Sequence, residues 1–206
     1  MPQHKRDPSS ATASRIVAKA TEILDNYGIA DLTMRRLARE LDVTAGSLYW
    51  HFADKQQLLG AVADEVLRPA GGPAEATGWQ GRITETATRL RDALLSHTDG
   101  AELVSASFAA GQSRVMRHLL ALLTDATVEA GVQPENAELA ARTIIYYVLG
   151  FTADEQSRLQ WDAAGALGAE QSVLDPAAQP GHPGRAFDFG LSVLIDGLSV
   201  HALRFS

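Results

Sequence analysis

The chain of 206 residues has no cysteine, which excludes disulfide bonds and cysteine-based zinc sites. No uninterrupted apolar run approaches the ~20 residues that a membrane-spanning helix requires. The first residues, MPQHKRDPSSATAS, lack the apolar core of a signal peptide. These absences predict a cytoplasmic protein without membrane contact. The composition, with 46% hydrophobic and 21% charged residues, is typical of a globular protein.

The sequence also lacks the excess of positive charge that is common in nucleic-acid-binding proteins, since its net charge is −7. The distribution of this charge is uneven. Residues 1–68 hold nine Lys or Arg and nine Asp or Glu, whereas residues 69–206 hold nine and sixteen and so carry the whole −7. This asymmetry indicates separate roles for the two segments, but by itself it is weak support for a DNA partner.

Helical periodicity dominates the chain, no segment shows a clear strand pattern, and we predict an all-α fold. A first helix is expected over residues 10–27, where apolar residues recur at steps of three and four. Its inner stripe runs from Ile16 to Tyr27, and Gly28 is placed to end it.

Three further helix starts follow closely. Thr33 can cap a second helix, Thr44 a very short third helix that ends near Trp50, and Asp54 a fourth, with Gln57 completing a capping box. The second and third helices are separated by about three residues, which is the spacing of a helix-turn-helix motif. We therefore predict an N-terminal three-helix DNA-binding domain at residues 1–53.

The remainder is predicted to form a connecting helix and linker at residues 54–78 and a larger helical regulatory and dimerisation domain at 79–206. The segment PAGGPAEATG (69–78) breaks helices and indicates a linker. Two later helices, 137–156 and 185–203, are apolar almost all round, which predicts burial on more than one side. The other expected elements are helices at 79–95 and 115–130, a short helix or turn within 99–113, and a loop at 163–184.

The stretch VTAGSLYWHFADK (43–55) concentrates aromatic residues in the short third helix. Leu48 and Phe52, four residues apart, suffice for its inner face, so Tyr49 and Trp50 are expected to point partly outward. A recognition helix presents such a face to the major groove of DNA. The alternative is that the aromatic residues are simply core, since aromatic side chains more often pack than bind.

Four segments stand out in order along the chain: LTMRRLARELDVTAGSLYWHFADKQQLL (32–59), ALLSHTDGAELV (93–104), YYVLGFTADEQ (146–156) and AFDFGLSVLIDGL (186–198). Together they resemble the TetR family of bacterial transcriptional regulators, and the resemblance is closest to its tetracycline repressor branch. It implies that three N-terminal helices bind DNA and that the remaining helices form a homodimeric effector-binding domain. It further implies that helices 137–156 and 185–203 of each subunit build the dimer interface.

By position, the resemblance also assigns the DNA-contacting residues. Ala45 and Gly46 replace the glutamine and proline with which the tetracycline repressor reads bases, and neither can make a bidentate base contact. Arg35 and Ser47 therefore remain as the better-placed base readers of a near-palindromic operator. The whole predicted set is Thr33, Arg35, Ala45, Gly46, Ser47, Tyr49, Trp50, His51 and Lys55.

For the effector, the resemblance implies a site in the second domain. Val104 and Asp154 stand where the tetracycline repressor has a metal-binding histidine and glutamate, so we expect an apolar pocket without metal or cofactor. The expected lining residues are Trp79, Ile83, Thr86, Leu90, Val104, Ser107, Leu119, Leu123 and Tyr147.

The combined hypothesis is a homodimeric repressor that a small molecule releases from its operator. Two alternatives stay open: a regulator whose C-terminal domain only dimerises, and a transcriptional activator. An enzyme is not expected, because no constellation of nucleophile, acid and base is present. His97 and His118 could form a metal or acid–base site with Asp99, but nothing in the chain supplies a further ligand.

Overall fold

The computed structural model describes residues 8–166 and 183–205, and these residues form helices and no strand. The all-α prediction is confirmed. No helix in this part of the chain is long and apolar enough to cross a membrane. The helices are α1 (Pro8–Tyr27), α2 (Met34–Glu40), α3 (Ala45–Tyr49), α4 (Lys55–Val66), α5 (Gly78–Leu95), α6 (Gly100–Ala109), α7 (Arg114–Glu129), α8 (Pro134–Ala163) and α9 (Pro183–Phe205).

Helices α1 to α4, which we call the head, share one apolar core. Leu24, Leu37, Leu48 and Leu58, one from each helix, are almost fully buried in it. Gly28 ends α1 as predicted: its φ is 79°, a value that glycine adopts without steric cost, and its N–H donates to the carbonyl of Leu24 at 2.8 Å. A 3-10 turn at Ile29–Asp31 then leads into α2.

The prediction that Tyr27 belongs to the buried stripe of α1 is wrong, since 55% of this residue is exposed. The guanidinium of Arg36 lies 3.6 Å from the centre of its ring. Arg36 is itself held by Asp31, whose Oδ1 is 2.6 Å from Nη1. Tyr27 therefore packs under a cation at the surface rather than in the core.

The predicted linker at 69–78 connects α4 to α5 and is tied to the second of these helices. The N–H groups of Ala76 and Glu75 donate to Oε2 of Glu85 at 2.7 and 2.8 Å. These two bonds stabilise the carboxylate and lower the pKa of Glu85.

Helices α5 to α9, which we call the body, place α5, α7 and α8 against one another, while α9 packs on α8. The two apolar helices are longer than the predicted ranges 137–156 and 185–203. Proline begins each of them, as is favourable in a first helical turn, and α8 continues to Ala163 because no glycine or proline interrupts it after Gly150. Most of the loop predicted at 163–184 lies outside the described residues.

Candidate DNA-binding surface and regulatory core

Helix α3 has only five residues and is held by its cap and by one buried side chain. Oγ1 of Thr44 accepts the N–H of Ser47 at 3.2 Å, and the two hydroxyl oxygens lie 2.8 Å apart. Leu48 is 1% exposed and Phe52 8% exposed, so both anchor the helix to the head as predicted. So short a helix is marginal alone, and these contacts decide its position.

The two aromatic residues beside this anchor face the solvent. Trp50 is 87% exposed and Tyr49 is 50% exposed. The alternative interpretation of these two residues as core is therefore wrong, although it holds for Phe52. A Cβ atom added at Gly46 would have Oγ1 of Thr44 as its nearest neighbour, at 3.7 Å, so this part of α3 is open to close approach.

Helix α2 packs against α3 and has two of the predicted DNA-contacting residues, Thr33 and Arg35, at its start. Oγ1 of Thr33 accepts the N–H of Arg36 at 3.2 Å and caps α2 as predicted. The two adjacent arginines differ: Arg36 is held by Asp31 and Tyr27, whereas Arg35 is exposed. Arg35 is thus the better placed of the pair to reach a ligand outside the head.

The predicted capping box of α4 is also present. Oδ1 of Asp54 accepts the N–H of Gln57 at 2.8 Å, and Oε1 of Gln57 accepts the N–H of Ala53 at 3.1 Å. Lys55 is the first residue of α4 and is exposed, so its charge lies near the N-terminus of a capped helix. Of the nine predicted DNA-contacting residues, Ala45 and His51 are half-buried, and the exposed ones are Thr33, Arg35, Gly46, Ser47, Tyr49, Trp50 and Lys55.

The predicted effector-binding residues converge on the core of the body and carry no formal charge. Trp79 and Tyr147 are half-buried. The hydroxyl of Tyr147 donates to the carbonyl of Phe187 at 2.8 Å, and burial raises the pKa of this phenol. The fully buried members are Ile83, Thr86 and Leu90 of α5, Val104 and Ser107 of α6, and Leu119 and Leu123 of α7.

Two hydroxyl groups in the body are buried without a hydrogen-bond partner among the described residues: those of Ser107 and Thr152. Other helical hydroxyls bond to the carbonyl one turn back, as Thr124 does to Leu120 at 2.8 Å. An unsatisfied buried hydroxyl is unfavourable unless a water or ligand completes it. Nothing in the local sequence distinguished Thr152 from these other threonines.

A cleft of about 820 Å³ lies elsewhere, between α1, α4 and α7. Val17, Asp64, Val115 and His118 are among its lining residues, and none of the predicted effector-binding residues is. The effector site in the core of the body therefore stays a prediction.

The histidines do not form the site with Asp99 that the sequence allowed. Nδ1 of His97 lies 3.0 Å from Oδ1 of Asp25, and His118 is exposed. Within the part of the chain that the structure describes, no group of three or more metal-ligating side chains is present.

Comparison with known proteins defines the family. Residues 16–62 match the family described as "Bacterial regulatory proteins, tetR family", and residues 72–202 match "Tetracyclin repressor-like, C-terminal domain". This chain belongs to the TetR family. The tetracycline repressor protein class A of Escherichia coli is 32% identical over 200 residues, which cover 91% of this TetR-family chain and 90% of that protein.

Solved structures agree over almost the whole length. The crystal structure of Mycobacterium smegmatis BioQ is 59% identical to this TetR-family chain, has a TM-score of 0.83, and matches over 91% of this chain and 97% of its own. A crystal structure of BioQ with its double-stranded DNA operator is 56% identical to this chain and has a TM-score of 0.78. The match covers 92% of this chain and 98% of the BioQ chain.

Proposed function

We propose that this TetR-family chain is a transcriptional repressor that binds a near-palindromic operator as a homodimer and is released by a small molecule. The observation that carries the proposal is the contrast within α3, where Leu48 is buried while Tyr49 and Trp50 project outward. The structure of BioQ with a DNA operator, at 56% identity, supports it. An activator would use the same head, and the position of the operator relative to the promoter distinguishes the two.

The head would enter the major groove with α3. The hydroxyl of Tyr49 and the imidazole of His51 are suited to donate to phosphate oxygens, and Lys55 adds a positive charge. Arg35 would read a base edge, because it is exposed at the start of α2. Ser47 would do so with its hydroxyl, which also contacts Thr44.

Homodimerisation is supported by apolar side chains that α8 and α9 leave exposed. Leu139 and Tyr146 on α8 are 62% and 57% exposed, and Phe189 and Val193 on α9 are 70% and 53% exposed. Large apolar residues on two neighbouring helices are typical of a protein interface. Two α3 helices held in this way would be about 34–36 Å apart, one turn of DNA.

An effector in the core of the body would be uncharged and largely apolar. The predicted lining offers no formal charge to compensate an ionic ligand, whose burial would be unfavourable. The hydroxyl of Ser107 is available for one hydrogen bond. Such a molecule would release the operator by binding more tightly to the conformation in which the two heads are wrongly spaced for DNA.

DNA binding is tested with duplexes that the wild-type protein selects from a randomised palindromic library, compared with random duplexes by fluorescence anisotropy. Lys55→Ala is expected to weaken binding to both and to reduce the salt slope by about 1, whereas Arg35→Ala should lose discrimination between them. Arg117→Ala, an exposed residue of α7 with the same change of charge, is the control. Equal losses on both duplexes for Arg35→Ala would refute its role as a reader, and failure of the wild type to select any duplex would overturn the function.

A further inference from the structure

The loop between α5 and α6 joins the head to the body through the side chain of Asp99. Oδ2 of Asp99 accepts the N–H of Ile29 in the 3-10 turn of the head at 2.9 Å. Oδ1 accepts Nε2 of Gln160 on α8 at 2.7 Å. One carboxylate therefore bridges the head and the helix whose outer face is proposed to form the dimer.

Asp99 adopts a backbone conformation that is uncommon for a residue with a side chain, with a φ of 52°. It precedes α6, but its side chain makes no cap hydrogen bond to that helix. The carboxylate, which could have capped α6, is instead directed to two partners far away in the sequence.

A second contact holds the same loop to α1. The carboxylate of Asp25 accepts the N–H of Thr98 at 3.3 Å and lies 3.0 Å from Nδ1 of His97. The hydroxyl of Thr98 donates to the backbone carbonyl of Asp25 at 2.9 Å. Asp25 and Thr98 therefore each contribute a side-chain group and a backbone group to the contact between the loop and the end of α1.

The body holds the loop from the other side through Gln156 of α8. Its Nε2 donates to the carbonyls of Leu94 and His97 at 3.0 and 2.8 Å, and its Oε1 accepts the N–H of Ala101 at 3.0 Å. A single amide therefore fixes the end of α5 and the start of α6, the two helices that carry most of the predicted effector-binding residues.

Glycine at position 28 favours a close approach of the head to the loop. A Cβ atom there would lie 2.6 Å from Oδ2 of Asp99, and the φ of 79° disfavours other residues as well. The close approach brings the N–H of the following residue, Ile29, to the carboxylate.

A separate attachment connects the head and body through α4. Oδ1 of Asp64 accepts the hydroxyl of Ser113 at 2.7 Å and the N–H of Val115 at 3.0 Å, at the start of α7. Helix α4 also packs against α6, so the head meets the body along α4 itself. The contacts that Asp25 and Asp99 make between the head and the loop before α6 hold the head at a second place, and Asp99 is the one of the two that also reaches α8.

We propose that Asp99 is a positioning residue for operator binding: by holding Ile29 against Gln160, it fixes the angle of the head on the body and hence the spacing of the two α3 helices. This inference rests on the proposed function, because the spacing has meaning only in a homodimer. Asp99 contacts no DNA and acts through the orientation of the helices that do.

The cysteine-free sequence allows a clean test, because one introduced cysteine at the exposed Gln56 of α4 carries a single spin label in each copy. Asp99→Asn keeps the size and the left-handed backbone preference but loses one of the two acceptors. Asp125→Asn makes the same chemical change at an exposed residue of α7, outside the proposed dimer interface and the predicted effector-binding set, and is the matched control. Gln160→Ala removes the α8 partner alone.

We expect both Asp99→Asn and Gln160→Ala to broaden or shift the distance between the two labels and to weaken binding to the selected duplex at least ~5-fold. Binding to random duplexes should change less, because the contacting side chains remain. Hydrogen exchange at the Ile29 amide should become faster in Asp99→Asn, while Asp125→Asn should match the wild type in every readout. Gln160→Ala keeps the test open if Asp99→Asn does not fold.

A distance distribution identical to the wild type, in a folded variant whose Ile29 amide exchanges faster, would overturn the proposal. A wild-type chain that gives no dipolar signal would contradict the homodimer of the proposed function instead. In that case, labels at Gln56 and Arg117 of one chain measure the orientation of the head directly. An unchanged distance between them in Asp99→Asn would overturn the positioning role, and a changed distance would support it.

Discussion

Leu48 and Trp50, two residues apart on α3, are expected to respond in opposite ways to replacement by alanine. Leu48 is 1% exposed, so Leu48→Ala removes buried methyl groups, leaves a cavity and should lower the free energy of unfolding by about 2–5 kcal/mol. Trp50 is 87% exposed, so Trp50→Ala takes away a side chain that is already largely in water. Its effect on stability should stay within about 0.5 kcal/mol.

The order reverses for DNA binding. A large aromatic residue at the centre of an interface commonly contributes ~1–2 kcal/mol or more when truncated. A homodimer loses this contribution twice, so Trp50→Ala should weaken operator binding by ~2–4 kcal/mol, roughly 30- to 1,000-fold. Leu48→Ala should reduce the fraction of folded protein, while the molecules that remain folded keep the contacting side chains of α3.

Stability is measured by urea unfolding followed by far-UV circular dichroism. Tryptophan fluorescence is not used as the probe, because Trp50→Ala removes one of the three tryptophans and changes the signal itself. Fluorescence anisotropy with the selected duplex measures binding, normalised to the folded fraction. If Trp50→Ala destabilises the head as much as Leu48→Ala does, Trp50 belongs to the core and the groove assignment is wrong. If Trp50→Ala is stable and binds like the wild type, α3 contacts DNA without this residue.

Two further outcomes concern the body. The double substitution of Leu139→Arg and Phe189→Arg places charges on the exposed apolar faces of α8 and α9. It should convert the homodimer to monomers, as measured by analytical ultracentrifugation. An unchanged sedimentation coefficient would rule out this interface. Backbone hydrogen bonds lower the pKa of Glu85 below its ordinary 4.5, so its contribution to stability is present above pH 4.5 and is lost as the pH falls through the lowered value. Melting temperatures measured across this pH range should fall less steeply towards acid pH for Glu85→Gln than for the wild type. Glu102→Gln on α6 should behave like the wild type. If the melting temperature of Glu85→Gln falls in parallel with that of the wild type, the hydrogen bonds of Glu85 do not contribute to stability.

Local signals were sufficient to predict the elements of the head. Thr33, Thr44 and Asp54 each accept the backbone N–H that their capping role requires, because a cap depends on residues only three positions apart. The buried face of α3 followed from the spacing of Leu48 and Phe52. These features depend on neighbours in sequence, so a pattern read along the chain contains them.

Features that depend on how the helices assemble could not be predicted in this way. Tyr27 falls in phase with the apolar stripe of α1. Periodicity defines a face of a helix, but it does not show how far along that face the other helices pack. The partners of Asp99 lie 70 and 61 residues away, and the hydrogen bonds exist only because α1, α8 and the loop before α6 meet. The effector site has the same character, since its residues share a core without sharing a local motif.

The composition of α3 makes the orientation of the head more important than usual. Ala45 and Gly46 offer no side-chain hydrogen bond to a base, so few direct readers remain beyond Arg35 and Ser47. The remaining discrimination would have to come from DNA shape and from the separation of the two half-sites. A protein can discriminate separation only if its heads resist turning, which requires a fixed second contact such as that of Asp99. Loss of this contact should therefore relax the half-site spacing that the homodimer accepts before it abolishes binding.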